Sequence, residues 1–116
     1  MRTYRHRWTD HEAVYINMEQ GFCMVRIYDE GWRKVAELDN LIVYPDARGR
    51  GYGDRLLRKA ISIAEFCGCM VLNLWPDCED WVKDWYRRNG FNPDEDLIGT
   101  YGEIGWCKML NPDKNK

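Results

Sequence analysis

Apolar and polar residues alternate along the first third of the chain. Val14, Ile16 and Met18 fall on one side of an extended backbone, and after Glu19-Gln20-Gly21 the sets Phe22, Met24, Arg26 and Cys23, Val25, Ile27 interleave up to Tyr28. A period of two marks a strand with unlike faces. A second turn, Asp29-Glu30-Gly31, leads into Trp32 through Val43, so the pattern predicts a three-stranded antiparallel meander. Ahead of it, Met1 to Glu12 is polar and basic and reads as an arm or a short edge strand. Thr9-Asp10-His11-Glu12 has capping-box spacing, but the alternation that follows belongs to a strand.

The period then lengthens. Leu56, Leu57, Ala60, Ile61 and Ala64 define one side of a helix and Arg55, Arg58, Lys59 and Glu65 mostly the other, with Gly68 as the stop. Met70 to Trp75 is apolar almost throughout, the pattern of a central strand covered on both faces and parallel to the Trp32–Val43 strand. Pro76 ends it. Asp77 is the expected cap of a second helix carrying Trp81, Val82, Trp85 and Tyr86, closed by Asn89-Gly90 with Phe91 folding back. Asp77, Glu79 and Asp80 suit its positive end. Asn92 to Asp96 reads as a turn, Leu97 to Leu110 as returning strand, strongest from Ile104, and Asn111 to Lys116 as a frayed tail. An exposed edge on that last strand would allow a homodimer.

Composition narrows the class. The 116 residues suit a single domain, 1–116, with one core and no extra cofactor lobe. No apolar run is long enough to cross a membrane, and the first residues lack the apolar core of a secretory signal. Five cysteines, an odd set without scaffold spacing, fit a reduced cytoplasmic protein. Cys67-Gly68-Cys69 has no second close pair, and His6 and His11 have no partner at ligand spacing, so no metal is expected. A net charge of −2 argues against nucleic acid as the main partner, although Arg48-Gly49-Arg50-Gly51 taken alone would suit RNA.

The densest chemistry lies where the third strand enters the first helix, Leu41-Ile42-Val43-Tyr44-Pro45-Asp46-Ala47-Arg48-Gly49-Arg50-Gly51-Tyr52-Gly53-Asp54. Helix-start amides lack partners inside the helix and sit at the positive end of its dipole, which makes an anion site. Glycines let backbone close around an oxyanion, and Arg48 and Arg50 add charged donors. Gly53 is followed by Asp54-Arg55 instead of Lys-Ser/Thr, which excludes a nucleotide P-loop, and Asp54 stands where a dinucleotide fingerprint has its third glycine.

Arg48-Gly49-Arg50-Gly51-Tyr52-Gly53 resembles the pyrophosphate motif of the GNAT N-acetyltransferase superfamily, Arg/Gln-x-x-Gly-x-Gly/Ala. Val43-Tyr44-Pro45 before it and Leu56-Leu57 after it fit the same pattern. Downstream, Trp85-Tyr86-Arg87-Arg88-Asn89-Gly90-Phe91 resembles the family's aromatic-Tyr-x-x-x-Gly-Phe. The resemblance spans roughly Phe22 to Leu110. It implies an α/β (α+β) fold, a mixed, mostly antiparallel sheet with a central splayed parallel strand pair and helices packed on it. The N-terminal helical pair usual in the family has little room here.

It also implies direct transfer of acetyl from acetyl-CoA to a primary amine, either a small amine or a protein lysine or N-terminus. Leu41, Ile42 and Val43 would meet the pantetheine arm and Arg48, Gly49, Arg50, Gly51, Tyr52, Gly53 and Asp54 the pyrophosphate. Tyr86 aligns with the tyrosine that protonates the departing thiolate. Glu37, within Ala36-Glu37-Leu38, matches the base of histone-type members, with Asp39 or a water chain as alternatives. Glu37, Asp39, Leu41 and Val43 share strand parity if no bulge intervenes. The family's Asn seven residues before the tyrosine is Glu79 here, and its Ala four before is Val82; Asn73 is a candidate substitute for the lost pantetheine contact. Asp77, Glu79, Asp80, Asp84 and Asp94-Glu95-Asp96 would favour a cationic acceptor, or simply cap and solvate. The rival function is a non-catalytic acyl-CoA-binding or protein-interaction module on the same fold.

Overall fold

The computed structural model describes residues 1–112. Seven strands and two helices follow in the order β1 (Arg2–Arg7), β2 (Glu12–Met18), β3 (Gly21–Asp29), β4 (Lys34–Val43), α1 (Tyr52–Phe66), β5 (Cys69–Leu74), α2 (Asp80–Arg88), β6 (Asn92–Ile98) and β7 (Ile104–Met109). They form one mixed sheet in the order β1-β2-β3-β4-β5-β7-β6. Only β4 and β5 run parallel, so the sheet is mostly antiparallel with one parallel pair at its centre. The predicted meander is present and gains β1 as its edge.

Pairing between β4 and β5 runs from Lys34 opposite Cys69 to Glu37 opposite Asn73 and then stops, although β4 continues to Val43. The sheet therefore opens just beyond Glu37. A bulge lies in the open part, where Phe22 faces Ile42 but Met24 faces Asp39, one residue more on β4 than on β3. Asn40 absorbs it with a φ of 54°, a left-handed conformation asparagine tolerates better than most residues. The extra residue reverses parity. Leu41 and Val43 pack on the core beside Leu38 and Ala36, whereas Glu37 and Asp39 point to the other face, so the common parity expected of these four does not hold.

Both helices cover one face. Val14, Ile16, Cys23, Val25, Leu38, Leu72 and Leu74 from the strands meet Leu56, Leu57, Ala60 and Ala64 of α1 and Tyr86 of α2 in a single core. β5 is a central strand as expected, with Leu72 and Leu74 in the core and Val71 buried on the side bearing Glu37 and Asn73, although neither helix lies over that side. Glu65, expected on the polar side of α1, is buried and accepts the amide of Asn111 at 2.9 Å. That bond, with Leu110 N donating to Met70 O at 2.9 Å, ties down the start of the segment read as a frayed tail; residues 113–116 lie outside the described residues.

Three further expectations change. Asn92 to Asp96 opens strand β6 instead of a turn, and the final strand β7 is interior, leaving β1 and β6 as the edges. The last strand therefore offers no exposed edge, since β6 covers it. The second helix starts at Asp80 with Glu79 as its cap residue, and Asp77 does not cap it. Among the tryptophans, Trp106 is buried, Trp85 packs against the core and Trp75 is part-buried, whereas Trp8, Trp32 and Trp81 are exposed.

Candidate active site

The strand-to-helix loop forms as its sequence suggests. Pro45–Ala47 makes one 3-10 turn, Gly49 and Gly51 take φ of 78° and 83°, and α1 begins at Tyr52. These two positive-φ positions are where a side chain would strain the backbone. Gly53 is different: its φ is not left-handed, and a Cβ there would meet the Trp85 ring at 3.6 Å. The first intrahelical bond is Arg55 N to Gly51 O, and no side chain caps the helix, so the preceding amides remain available to an anion. Arg48 Nε donates to the Val43 carbonyl at 3.0 Å, folding its side chain back along the strand end, while Arg50 is exposed. The Arg55 guanidinium stands 5.8 Å from the Tyr52 ring centroid.

Asp54, grouped with the cofactor contacts, has a carboxylate that accepts from Trp85 Nε1 at 2.8 Å. This brace ties the start of α1 to α2. In sequence Trp85 reads as an apolar helix position and as the aromatic before Tyr86; a tryptophan with a carboxylate far off in sequence leaves no local signal of the bond.

Tyr86, next along α2, is buried and flanked by the rings of Trp85 at 4.8 Å and Phe91 at 5.5 Å. The helix ends as predicted, with Gly90 at a φ of 91° and Phe91 N returning to Tyr86 O at 3.1 Å. Burial, reinforced by Asp77 and Cys23, pushes the Tyr86 phenol up to about 12, so it stays protonated across the physiological range.

Glu37 occupies the opposite face at the last paired position before the sheet opens. It is half-buried, and desolvation together with neighbouring Asp39 raises its pKa above the ordinary carboxylate value, offset in part by Arg26 and His11. Arg26 Nε lies 3.2 Å from Asp39 Oδ2 in an ion pair without hydrogen-bond geometry, which leaves both buried atoms able to bond elsewhere. Asn73 sits directly opposite Glu37 in register, and just past β5 the Trp75 indole N–H is buried without a partner among the described residues. The hairpin Trp8–His11 adds residues the sequence did not point to. Asp10 and His11 pair at 2.8 Å, and the His11 ring approaches that of Tyr28 at 5.1 Å.

The parts therefore divide across the sheet. A helix-start anion loop stands at the end of β4, a stretch of β4 unpaired on its β5 side runs down from it, a carboxylate of raised pKa lies on one face, and a protonated phenol lies on the other. Residues 8–93 match the model of the acetyltransferase (GNAT) domain. The chain belongs to the GNAT family. An uncharacterised N-acetyltransferase from Methanocaldococcus jannaschii is 37% identical over 79 residues, 67% of this chain and 32% of that protein. A probable glucosamine 6-phosphate N-acetyltransferase from rice, Oryza sativa subsp. japonica, is 35% identical over 66 residues, 57% and 39% of the two chains. The matched stretches thus span 32% and 39% of these curated relatives' lengths. Among solved structures, the PaiA N-acetyltransferase of Thermoplasma acidophilum in complex with coenzyme A aligns with a TM-score of 0.67 at 20% identity, over 87% of this chain and 62% of that one. At that identity the likeness is one of fold.

The residues present fit coenzyme A. Uncapped amides with two positive-φ glycines suit its pyrophosphate, and the β4 backbone left unpaired on its β5 side suits the amides of its pantetheine arm. Space is open at Gly49 and Gly51, where a Cβ would meet no atom of the chain within 4 Å. Among the described residues no group of three His, Cys, Asp or Glu could hold a metal ion, and no helix is long and apolar enough to cross a membrane.

Proposed function

We propose that residues 1–116 form one acetyltransferase domain that moves an acetyl group from acetyl-CoA to a primary amine by direct attack. The observation that carries this reading is the opening of the sheet immediately after Glu37, with Glu37 and Tyr86 on opposite faces of it. Acetyl-CoA supplies an activated carbonyl carbon. An amine approaching from the Glu37 side is mostly protonated at neutral pH and must lose a proton to attack; a carboxylate of raised pKa is a better acceptor for that proton. On the other side, Tyr86 holds its proton and can donate it to the departing sulfur. Leu41, Ile42 and Val43 would present backbone groups to the arm, and the amides and arginines from Arg48 to Asp54 would hold the pyrophosphate. The five cysteines are all free, which supports a reducing, cytoplasmic setting.

A CoA-binding module without turnover is the second reading, and the helix-free face around Glu37 favours it. Thermal unfolding with acetyl-CoA tests the common part: at a hundred times its dissociation constant the ligand adds about 2.7 kcal/mol of stability, and Gly51→Glu should abolish the shift. A well-folded parent with no shift would remove the cofactor assignment. Tyr86→Phe separates the two readings, with an expected loss of about a hundredfold in turnover and an unchanged acetyl-CoA shift. Equal turnover in the two proteins would take Tyr86 out of the mechanism.

A further inference from the structure

The helical face of the sheet is covered only as far as α1 reaches. That helix stops at Phe66, and past its end the cross-strand row Arg7, Glu12, Ile27 helps to line a cleft of about 700 Å³. Small-molecule sites have this size, roughly 300–1,000 Å³. Lys34, on its far wall, begins β4, and the glycine loop follows the other end of that strand, roughly 30 Å away at about 3.3 Å per residue. The cleft is thus separate from the candidate active site.

Two large rings from distant segments meet at this cleft while 51% and 72% exposed, Trp8 from the hairpin between β1 and β2 and Phe66 from the end of α1. Trp8 is held in place, its ring meeting those of His6 at 4.4 Å and His11 at 6.2 Å. Buried Ile27 supplies an apolar floor. The charged groups of the lining then divide by sign. Every carboxylate is engaged: Glu12 accepts from Arg5, Asp10 pairs with His11 at 2.8 Å, and Asp29 accepts the Gly31 amide at 2.9 Å. On the cationic side, the Arg7 guanidinium has no partner among the described residues, and Lys34 Nζ has only a long 3.4 Å bond to the Cys67 carbonyl.

We propose that this cleft is a second ligand site, for a small aromatic carboxylate whose charged end is taken by Arg7 or Lys34 and whose ring lies against Trp8, Phe66 and Ile27. A guanidinium matches a carboxylate in charge and in shape, and a flat ring is what exposed aromatic side chains stack on. A neutral apolar ligand would leave the two cations unused, and a bare anion would leave both rings in water. A cationic ligand would find each carboxylate of the lining already engaged. The proposal stands apart from acetyl transfer and does not depend on it.

The test titrates the full chain with naphthoate, its neutral amide naphthamide, and inorganic phosphate. Calorimetry should show a single saturable naphthoate site, with naphthamide and phosphate weaker by about tenfold or more. The Arg7→Gln, Lys34→Gln double variant should weaken naphthoate about tenfold and leave naphthamide unchanged, since only the charged contacts are removed. Trp8→Ser should weaken both naphthalene probes alike. All three side chains are exposed, so neither variant removes core packing. Saturating acetyl-CoA should leave naphthoate binding as it was. Absence of a saturable naphthoate site, equal affinity for naphthamide, or either variant binding naphthoate as the parent does would overturn the proposal. So would displacement of naphthoate by acetyl-CoA, which would put the probe on the glycine loop instead.

Discussion

The two faces of the sheet follow opposite rules. The helical face is a closed core in which Phe91, Leu56, Leu57, Leu72, Ile16 and Val25 are almost wholly buried. The other face carries a carboxylate of raised pKa, an ion pair without hydrogen bonds and exposed tyrosines. Burial organised by hydrophobic transfer is satisfied within the chain. Polar groups that are half-buried and incompletely paired are not, and such groups concentrate where a ligand completes them. The satisfied and the unsatisfied groups are thus separated by one layer of backbone, and the opening beyond Glu37 is where the two faces meet.

That separation predicts which substitutions change stability. Phe91→Ala should cost the most, about 3–5 kcal/mol, because it removes a fully buried ring that packs against Tyr86. Chemical denaturation measures it. A loss under about 1 kcal/mol would mean that the helical face is not the seat of stability. A middle-sized effect belongs to Trp85→Phe, which keeps a ring against Gly53 but deletes the donor to Asp54. A part-buried hydrogen bond to a charged acceptor is worth about 1 kcal/mol here, and Asp54→Asn, which keeps an accepting oxygen, should lose less than Asp54→Ala. If all three variants lose the same amount, the brace contributes through packing alone.

Legibility followed the same division. The helical face was readable because it obeys periodicity: Val14, Ile16, Val25 and Leu72 repeat at two, Leu56, Leu57, Ala60 and Ala64 at the helical spacing, and each repeat landed in the core. The glycine loop and the Tyr86 turn were readable because local backbone demands, positive φ at Gly49, Gly51 and Gly90, fix residue type. What was missed depends on partners distant in sequence. The bulge at Asn40 reverses the parity of Leu41 and Val43 relative to Glu37, and one inserted residue carries no compositional mark. Trp8, Trp32 and Trp81 are exposed, and composition could not show it, because it counts apolar residues without knowing which face a helix will cover. Strand β6 reads as a turn because Pro93 and its acidic neighbours disfavour strand, yet an edge position tolerates both.

The smallest predicted effect has the opposite sign. Glu37 has a folded-state pKa above its unfolded value, set first by desolvation and then by Asp39. In the pH window between those two values the folded chain binds more protons than the unfolded chain at this position, so stability falls as pH rises through the window. Above it the charged side chain is a net burden on the fold. Glu37→Gln removes that burden while keeping size and a hydrogen-bonding group, so it should leave the chain slightly more stable at neutral pH and flatten the fall in stability above the ordinary glutamate range. The same change should slow transfer and abolish the rise of rate with pH assigned to this carboxylate. Unfolding measured from pH 4 to 8, beside rates on one acceptor, checks both. A variant both more stable and slower would identify Glu37 as a group whose environment serves the reaction at the expense of the fold. A variant that loses stability at neutral pH would instead make Glu37 a structural member of the Arg26–Asp39 network, and the contrast between the two faces would no longer hold.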